Sequence, residues 1–239
     1  MAGIALNADV STAAAAQALK ARGRARVADV LTDAAARALH EALSGDAITW
    51  RRSLDNPANV DVPVAVFEGQ PADEQARLIA MVHEGARDGF QYVYDRFRIG
   101  HGVATGEAMP DALSDLHALF NGEPWLDFAR RLTGDERIRH VDAMATRYGP
   151  GQFLNGHNDQ HEKAGRLYAY VLNLCPRWRA EWGGLLLFKD EAGEVVETFT
   201  PGFNVLNVFA VPQAHAVSMV TPFASAPRLS ITGWWRTHG

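Results

Sequence analysis

The stretch NVLNVFAVPQAHAVSMVTPFASAPRLSITGWW (Asn204–Trp235) falls into three short apolar segments, 204–210, 215–220 and 228–235, separated by Pro212, Pro222 and Pro227. Each is rich in β-branched or aromatic residues and too short for an ordinary helix, so each reads as a strand bounded by turns. Toward the N-terminus the same texture recurs at 194–199, 184–188, 166–174 and 138–148. A run of short strands with turn signals between them predicts an antiparallel sandwich or barrel.

Upstream of residue 137 the character changes. Residues 11–22 (STAAAAQALKAR) read as a helix with Ser11 or Thr12 as N-cap, ending before Gly23. Ala25–Leu31 alternates as a strand does, and Thr32 caps a helix that stops at Gly45. Further helices are predicted at 71–87, opened by Pro71, and at 110–120 and 124–132. The segment 50–64 carries Pro57, Asn59 and Pro63 and reads as a long irregular loop. Residues 90–108 fit no placed pattern, although QYVYDRFRI (91–99) alternates like a strand. The expectation is an α+β fold, a β-sandwich braced by helices on one face. A helical extension (1–24) precedes one domain (25–239) with its sheet core at about 137–236, because a strand at 25–31 needs the C-terminal sheet as partner.

Composition narrows the function. With 239 residues, 47% hydrophobic and 21% charged, the chain can bury a substantial core. A net charge of −5 gives no electrostatic case for nucleic acid. Cys175 is the single cysteine, which excludes an internal disulfide and fits a reducing compartment. No apolar run approaches the roughly 18 residues of a membrane span, and the N-terminus lacks a basic leader, so the expected location is the cytoplasm, with no membrane partner.

Chemistry concentrates in YGPGQFLNGHNDQH (Tyr148–His161). In an extended chain His157 and Asp159 project from one face, and His215 on a later strand is the natural third member of a two-His, one-carboxylate set. Such a set leaves metal positions open for a cosubstrate and O₂. The triplet alone is weak: with 9 His and 16 Asp, chance supplies on the order of 0.6 such triplets. A second one, His140-Val141-Asp142, is present and reads as a sheet-surface pair. Arg228 and Ser230 again form an i, i+2 pair, a guanidinium fork and a hydroxyl suited to a carboxylate, with an interstrand ion pair as the competing reading. Tyr148 either lends its hydroxyl to the same carboxylate or packs in the core. Tyr92, Tyr94, Arg96 and Arg98 either line a peptide groove or mark an ordinary strand. His161 reads as exposed, and Cys175 as inert.

Taken together, Tyr148-Gly149-Pro150-Gly151-Gln152-Phe153-Leu154, His157-Asn158-Asp159, Tyr170–Leu174, Pro176, Trp178, Gly183-Gly184-Leu185, His215 and Arg228–Trp234 resemble the prolyl 4-hydroxylase-like branch of the 2-oxoglutarate oxygenases. Within it, they are similar to the ribosomal-protein prolyl hydroxylases. The likeness runs from about 141 to 236, with a weaker echo at 25–43, and leaves 45–135 unmatched. It implies a double-stranded β-helix, or jelly roll, with Fe(II) on His157, Asp159 and His215. It also implies 2-oxoglutarate anchored by Arg228 beside Tyr148 and Ser230, O₂ as the second cosubstrate, and ascorbate as an auxiliary reductant. Gly183 and Gly184 fall where a core strand is approached closely, and Trp178 on a packing position. The implied reaction is hydroxylation of a prolyl residue in a protein or peptide. A small-molecule hydroxylase is the alternative, and a jelly-roll binding module without activity a third reading, disfavoured by the complete four-residue set.

Overall fold

The computed structural model describes residues 3–55, 60–161 and 163–239. The helix-rich half contains α1 (Ala13–Arg22), β1 (Arg24–Ala28), α2 (Asp33–Ser44), β2 (Arg51–Leu54), β3 (Val60–Pro63), α3 (Val64–Glu68), α4 (Ala72–Gly85), β4 (Tyr92–Phe97), α5 (Ile99–Thr105), α6 (Asp111–Phe120) and α7 (Glu123–Thr133). Then follow β5 (His140–Val141), β6 (Met144–Tyr148), β7 (Phe153–His157), β8 (Arg166–Leu174), β9 (Leu186–Lys189), β10 (Val195–Phe199), β11 (Phe203–Ala210), β12 (His215–Val217) and β13 (Arg228–Arg236).

The strands form one strongly curled antiparallel sheet in the order β1-β11-β8-β13-β6-β4-β7-β12-β9-β10. The curl folds it into two facing halves, and β4 belongs to both. Its first residues, Tyr92 and Val93, pair with Leu154 and Phe153 of β7; its later ones, Asp95 to Phe97, pair with Arg147 to Ala145 of β6. Strand alternation then assigns each side chain to a face. On β13, Leu229, Ile231 and Trp235 join the core under the helices, as do Tyr170, Leu172 and Leu174 of β8. The intervening Arg228, Ser230, Thr232 and Trp234 point into the space between the halves. The core contains Leu39 and Leu43 of α2, Leu113 and Phe120 of α6, and Trp125, Phe128 and Leu132 of α7. The expected α+β jelly-roll class with helices against one face is what forms. Helix α1 lies in the same core through Ala15 and Leu19.

Two sequence expectations need correction. The segment 50–64 is not an irregular loop where it is described: β2 and β3 form an antiparallel pair, and β2 adds to the edge of β4. The turn signals misled because polar side chains on this edge satisfy one another. Arg51 binds Asp61 at 2.9 Å, and Asp95 accepts from Arg147 at 2.9 Å and from Arg52. Pro57 and Asn59, on which the loop reading leaned, lie outside the described residues. The unplaced segment 90–108 is likewise ordered, as β4 followed by α5. The predicted strand 138–148 is interrupted at Asp142–Ala143, where the backbone comes so close to Gly233 that a Cβ there would lie 2.1 Å from the Asp142 carbonyl oxygen. Gly183 (φ 71°) makes the anticipated close approach, with its Cβ position 2.0 Å from the Met219 carbonyl oxygen.

Candidate active site

The register of the sheet builds the site. His215 on β12 is the direct cross-strand partner of His157 at the end of β7, so two imidazoles from distant parts of the chain stand side by side. Asp159 does not reach them along an extended strand, as the i, i+2 argument supposed. The strand ends at His157, and Asp159 takes a left-handed conformation (φ 61°), a rare one for a non-glycine residue, that turns its carboxylate back. Asp159 Oδ1 lies 3.6 Å from His157 Nε2, and Oδ2 lies 3.5 Å from His215 Nε2. One ligating atom from each residue falls within 4.8 Å of the others.

Hydrogen bonds fix the tautomers. His157 Nδ1 lies 2.9 Å from the Asn155 carbonyl oxygen and His215 Nδ1 lies 2.8 Å from that of Gln213. A carbonyl only accepts, so each Nδ1 carries the proton and each Nε2 presents a lone pair toward Asp159. Burial, and then the neighbouring His157, lowers the His215 pKa to about 4, which keeps that ring neutral at physiological pH.

Across the cavity stands Arg228 on β13, 2% exposed. Among the described residues no carboxylate pairs with it. Its Nη2 reaches Asn173 Oδ1 at 3.5 Å, its Nε has no partner, and its guanidinium lies over the Tyr148 ring at 5.3 Å. Burial pulls its pKa below the ordinary guanidinium value, but a guanidinium stays charged in a protein. A buried cation with open donors is costly unless an anion answers it. The interstrand ion pair weighed for Arg228 is therefore not what this structure contains. Tyr148, the cross-strand partner of Arg228, is buried and stacks on Tyr94 with centroids 5.0 Å apart. Desolvation pushes its pKa up, so it stays a neutral phenol. The Ser230 hydroxyl, fully buried, shares a 2.8 Å hydrogen bond with Thr146 Oγ1.

These six residues line one cavity of about 230 Å³. Tyr92 and Tyr94 line it too, whereas Arg96 is tied to Asp61 at 2.7 Å and Arg98 faces an adjoining cavity. The second triplet does not line this cavity: His140 Nε2 sits 3.4 Å from Asp142, which also binds Arg236 at 3.1 Å. His161 is exposed, and Cys175 is buried with its thiol pKa raised by desolvation. Trp178 donates to the Gly183 carbonyl at 2.9 Å, a packing role.

Sequence reasoning missed Arg166. Its guanidinium stacks on Trp234 at 3.6 Å and donates to the Asp159 carbonyl at 3.0 Å, while its Nε and Trp234 Nε1 are buried without partners. A charged residue opening the apolar strand RLYAYVLNL was the available signal.

Residues 143–236, which contain all six of these cavity residues, match the model of the 2OG-Fe(II) oxygenase superfamily. Over 130 residues the chain is 32% identical to prolyl 3-hydroxylase OGFOD1 of Xenopus laevis, covering 52% of this chain and 24% of that protein. The mouse protein of the same name is 30% identical over 118 residues, covering 46% of this chain and 21% of that protein. The chain thus spans about a quarter of the length of these curated relatives. A Pseudomonas putida prolyl-4-hydroxylase shares the fold with a TM-score of 0.60 at 21% identity, over 96% of this chain and all of that one. So does a Trichoplax adhaerens prolyl hydroxylase solved with a hypoxia-inducible-factor peptide, with a TM-score of 0.59 at 18% identity, over 93% of this chain and 87% of that one. The donor set fits the group that such a domain carries, with two imidazole Nε2 atoms and a carboxylate converging on one point and, across the cavity, a cation that no carboxylate of the described residues answers. Residues 143–236 thus form a 2OG-Fe(II) oxygenase domain, of a superfamily that uses Fe(II) with 2-oxoglutarate and O₂ as cosubstrates, and His157, Asp159 and His215 could hold that metal.

Proposed function

We propose that this protein hydroxylates a prolyl residue of a protein or peptide. His157, Asp159 and His215 hold the iron, and Arg228 holds the distal carboxylate of 2-oxoglutarate, flanked by Tyr148 and Ser230. The observation that carries the reading is Arg228, a buried guanidinium whose charge no carboxylate of the described residues meets. When bound, Fe(II) couples the conversion of 2-oxoglutarate and O₂ to succinate and CO₂ with insertion of the other oxygen atom into a C–H bond of the substrate.

The chain's own residues bind and orient. His157 and His215, held by the Asn155 and Gln213 carbonyls, offer Nε2 without a change of tautomer. Arg228 presents a planar fork to a carboxylate, and the aromatic rings of Tyr148 and Tyr94 keep water from that end of the cavity. Arg166 and Trp234 offer unpartnered donors at the cavity wall, suited to a substrate carbonyl. A peptide is favoured over a free metabolite because the iron cavity continues into a second one of about 640 Å³ past Tyr94, Arg166 and Trp234. The prolyl hydroxylase names of the relatives and fold neighbours point the same way. The proposal includes a single domain over 25–239 preceded by a helical extension at 1–24, and a cytoplasmic location, which the free buried thiol of Cys175 supports.

The test is incubation with Fe(II), 2-oxoglutarate and a set of proline-containing peptides, read by oxygen incorporation in the mass spectrum and by succinate. Hydroxylation confined to proline supports the reading. Hydroxylation of free amino acids alone would replace it with the small-molecule one.

A further inference from the structure

Beyond Trp234 the second cavity opens along α5, the start of α6's last turn and the end of β13. Its wall carries Arg96, Arg98, Arg166 and Arg236, and Asp142 is its one acidic residue among the described ones. Most of these charges are already engaged. Asp61 answers Arg96 at 2.7 Å, Asp142 answers Arg236 and His140, and Arg166 rests on Trp234 and the Asp159 carbonyl. Burial keeps His117 neutral. Arg98 stands apart: it is exposed and belongs to no ion pair among the described residues, with His101, also exposed, on the next turn of α5. Asp61 and Glu107 line an adjoining hollow that shares Arg96, Arg98 and His101 with this cavity, and of these two carboxylates Asp61 is taken up by Arg51 and Arg96.

We propose that this cavity receives the segment of a peptide substrate on one side of the target proline, and that this segment carries a carboxylate recognised by Arg98 with His101. The inference rests on the prolyl-peptide reading above and adds a sequence preference to it. Charge complementarity selects the occupant, since a cavity with an excess of fixed cations favours an anionic partner and disfavours a cationic one. The cavity also offers apolar wall from Val103, Met144 and Trp234, which suits an extended chain rather than an isolated anion. Continuity through Tyr94, Arg166 and Trp234 places the charged rim beyond the iron cavity along the same channel, where a neighbouring residue of the same peptide has to lie.

The experiment uses the Fe(II)-loaded enzyme and a positional set of short N-acetylated, C-amidated peptides with one central proline. Each flanking position carries Glu, Ala or Lys in turn, and hydroxylation is followed by mass. Glu at one or two positions on a single side should raise kcat/KM about threefold or more over Ala, and Lys should lower it, as for an exposed charge pair. Arg98→Glu should reverse that order, Arg98→Ala should flatten it, and added salt should weaken it in the wild type. Thermal unfolding of both variants verifies that they are folded. Peptides hydroxylated equally well with Glu, Ala or Lys at every position overturn the charge preference while leaving prolyl hydroxylation standing. A Glu preference that survives in Arg98→Glu assigns recognition elsewhere and also overturns it. If no peptide is hydroxylated although succinate is released, the peptide reading falls and this inference with it.

Discussion

Replacing Arg228 by methionine separates a ligand-holding arginine from a structural one, because the two roles predict opposite stability changes. The guanidinium is buried, and among the described residues its Nε finds no partner and its side-chain hydrogen bond, to Asn173, is long at 3.5 Å. Methionine keeps much of the apolar stem and removes the desolvated charge. Exchanges of buried charge for well-packed apolar groups are commonly neutral or stabilising by about 1–4 kcal/mol. Taking the lower end, because the stacking on Tyr148 is also lost, the ligand-free variant should unfold a few degrees above the wild type, at about 2–4 °C per kcal/mol for this size. Binding of 2-oxoglutarate should suffer instead. Two charge-assisted hydrogen bonds at about 1.5–3 kcal/mol each make the loss at least about 3 kcal/mol, roughly a hundredfold in affinity. The assays are the apparent KM for 2-oxoglutarate by succinate release, and the thermal shift caused by 2-oxoglutarate with Mn(II) in place of Fe(II). The wild type should gain about 2.7 kcal/mol at a hundred times Kd, and the variant almost nothing at that concentration. An affinity within about threefold of wild type, together with a ligand-free variant destabilised by several kcal/mol, would refute the reasoning.

Three further outcomes follow from the geometry. His157→Ala and His215→Ala should each abolish stoichiometric Fe(II) binding in equilibrium dialysis, whereas His140→Ala should retain it; loss in the last variant alone would move the metal to the other triplet. Gly233→Ala should destabilise the fold by about 2 kcal/mol or more in urea unfolding, because its Cβ position lies 2.1 Å from the Asp142 carbonyl oxygen; an unchanged midpoint would show that β13 shifts freely. Asp95→Ala should cost about 3 kcal/mol, since the buried carboxylate answers both Arg52 and Arg147 and its removal leaves Arg147 without an ion-pair partner among the described residues and Arg52 with only Glu68 at 3.7 Å; a loss below about 1 kcal/mol would mean that water substitutes for it.

The sheet was legible in the sequence wherever one face of a strand is apolar and the other lines the cavity. The strands at 166–174 and 228–235 were read as such, and on β13 the i, i+2 pair Arg228 and Ser230 does face the cavity while Leu229 and Ile231 join the core. It was not legible at β2 and β3, where the apolar contacts are few, Leu54, Val60 and Val62 against Phe67 and Val93, and ion pairs between strands add to them. Pairing of that kind depends on register, which periodicity does not carry. The metal-site candidates were legible as residues but not as a backbone route. His157 and His215 meet through a cross-strand pairing, and Asp159 arrives through a left-handed turn that no propensity for Asn-Asp singles out. Arg166 went unnoticed because a cation at the start of a strand usually faces solvent; its stacking on Trp234 is a tertiary fact.

Strand β4 gives the molecule a mechanical property. The two histidines stand on β7 and β12, in one half of the curled sheet, and Arg228 on β13 in the other. Along the hydrogen-bonded path the halves are hinged at this one strand, which changes neighbours midway between Val93 and Asp95. On the assignment proposed above, a dicarboxylate held by iron at one end and by Arg228 at the other is a cross-brace set opposite that hinge. Loading the site then tightens the whole clamshell, and the amides of β4 are where slowed hydrogen exchange registers it.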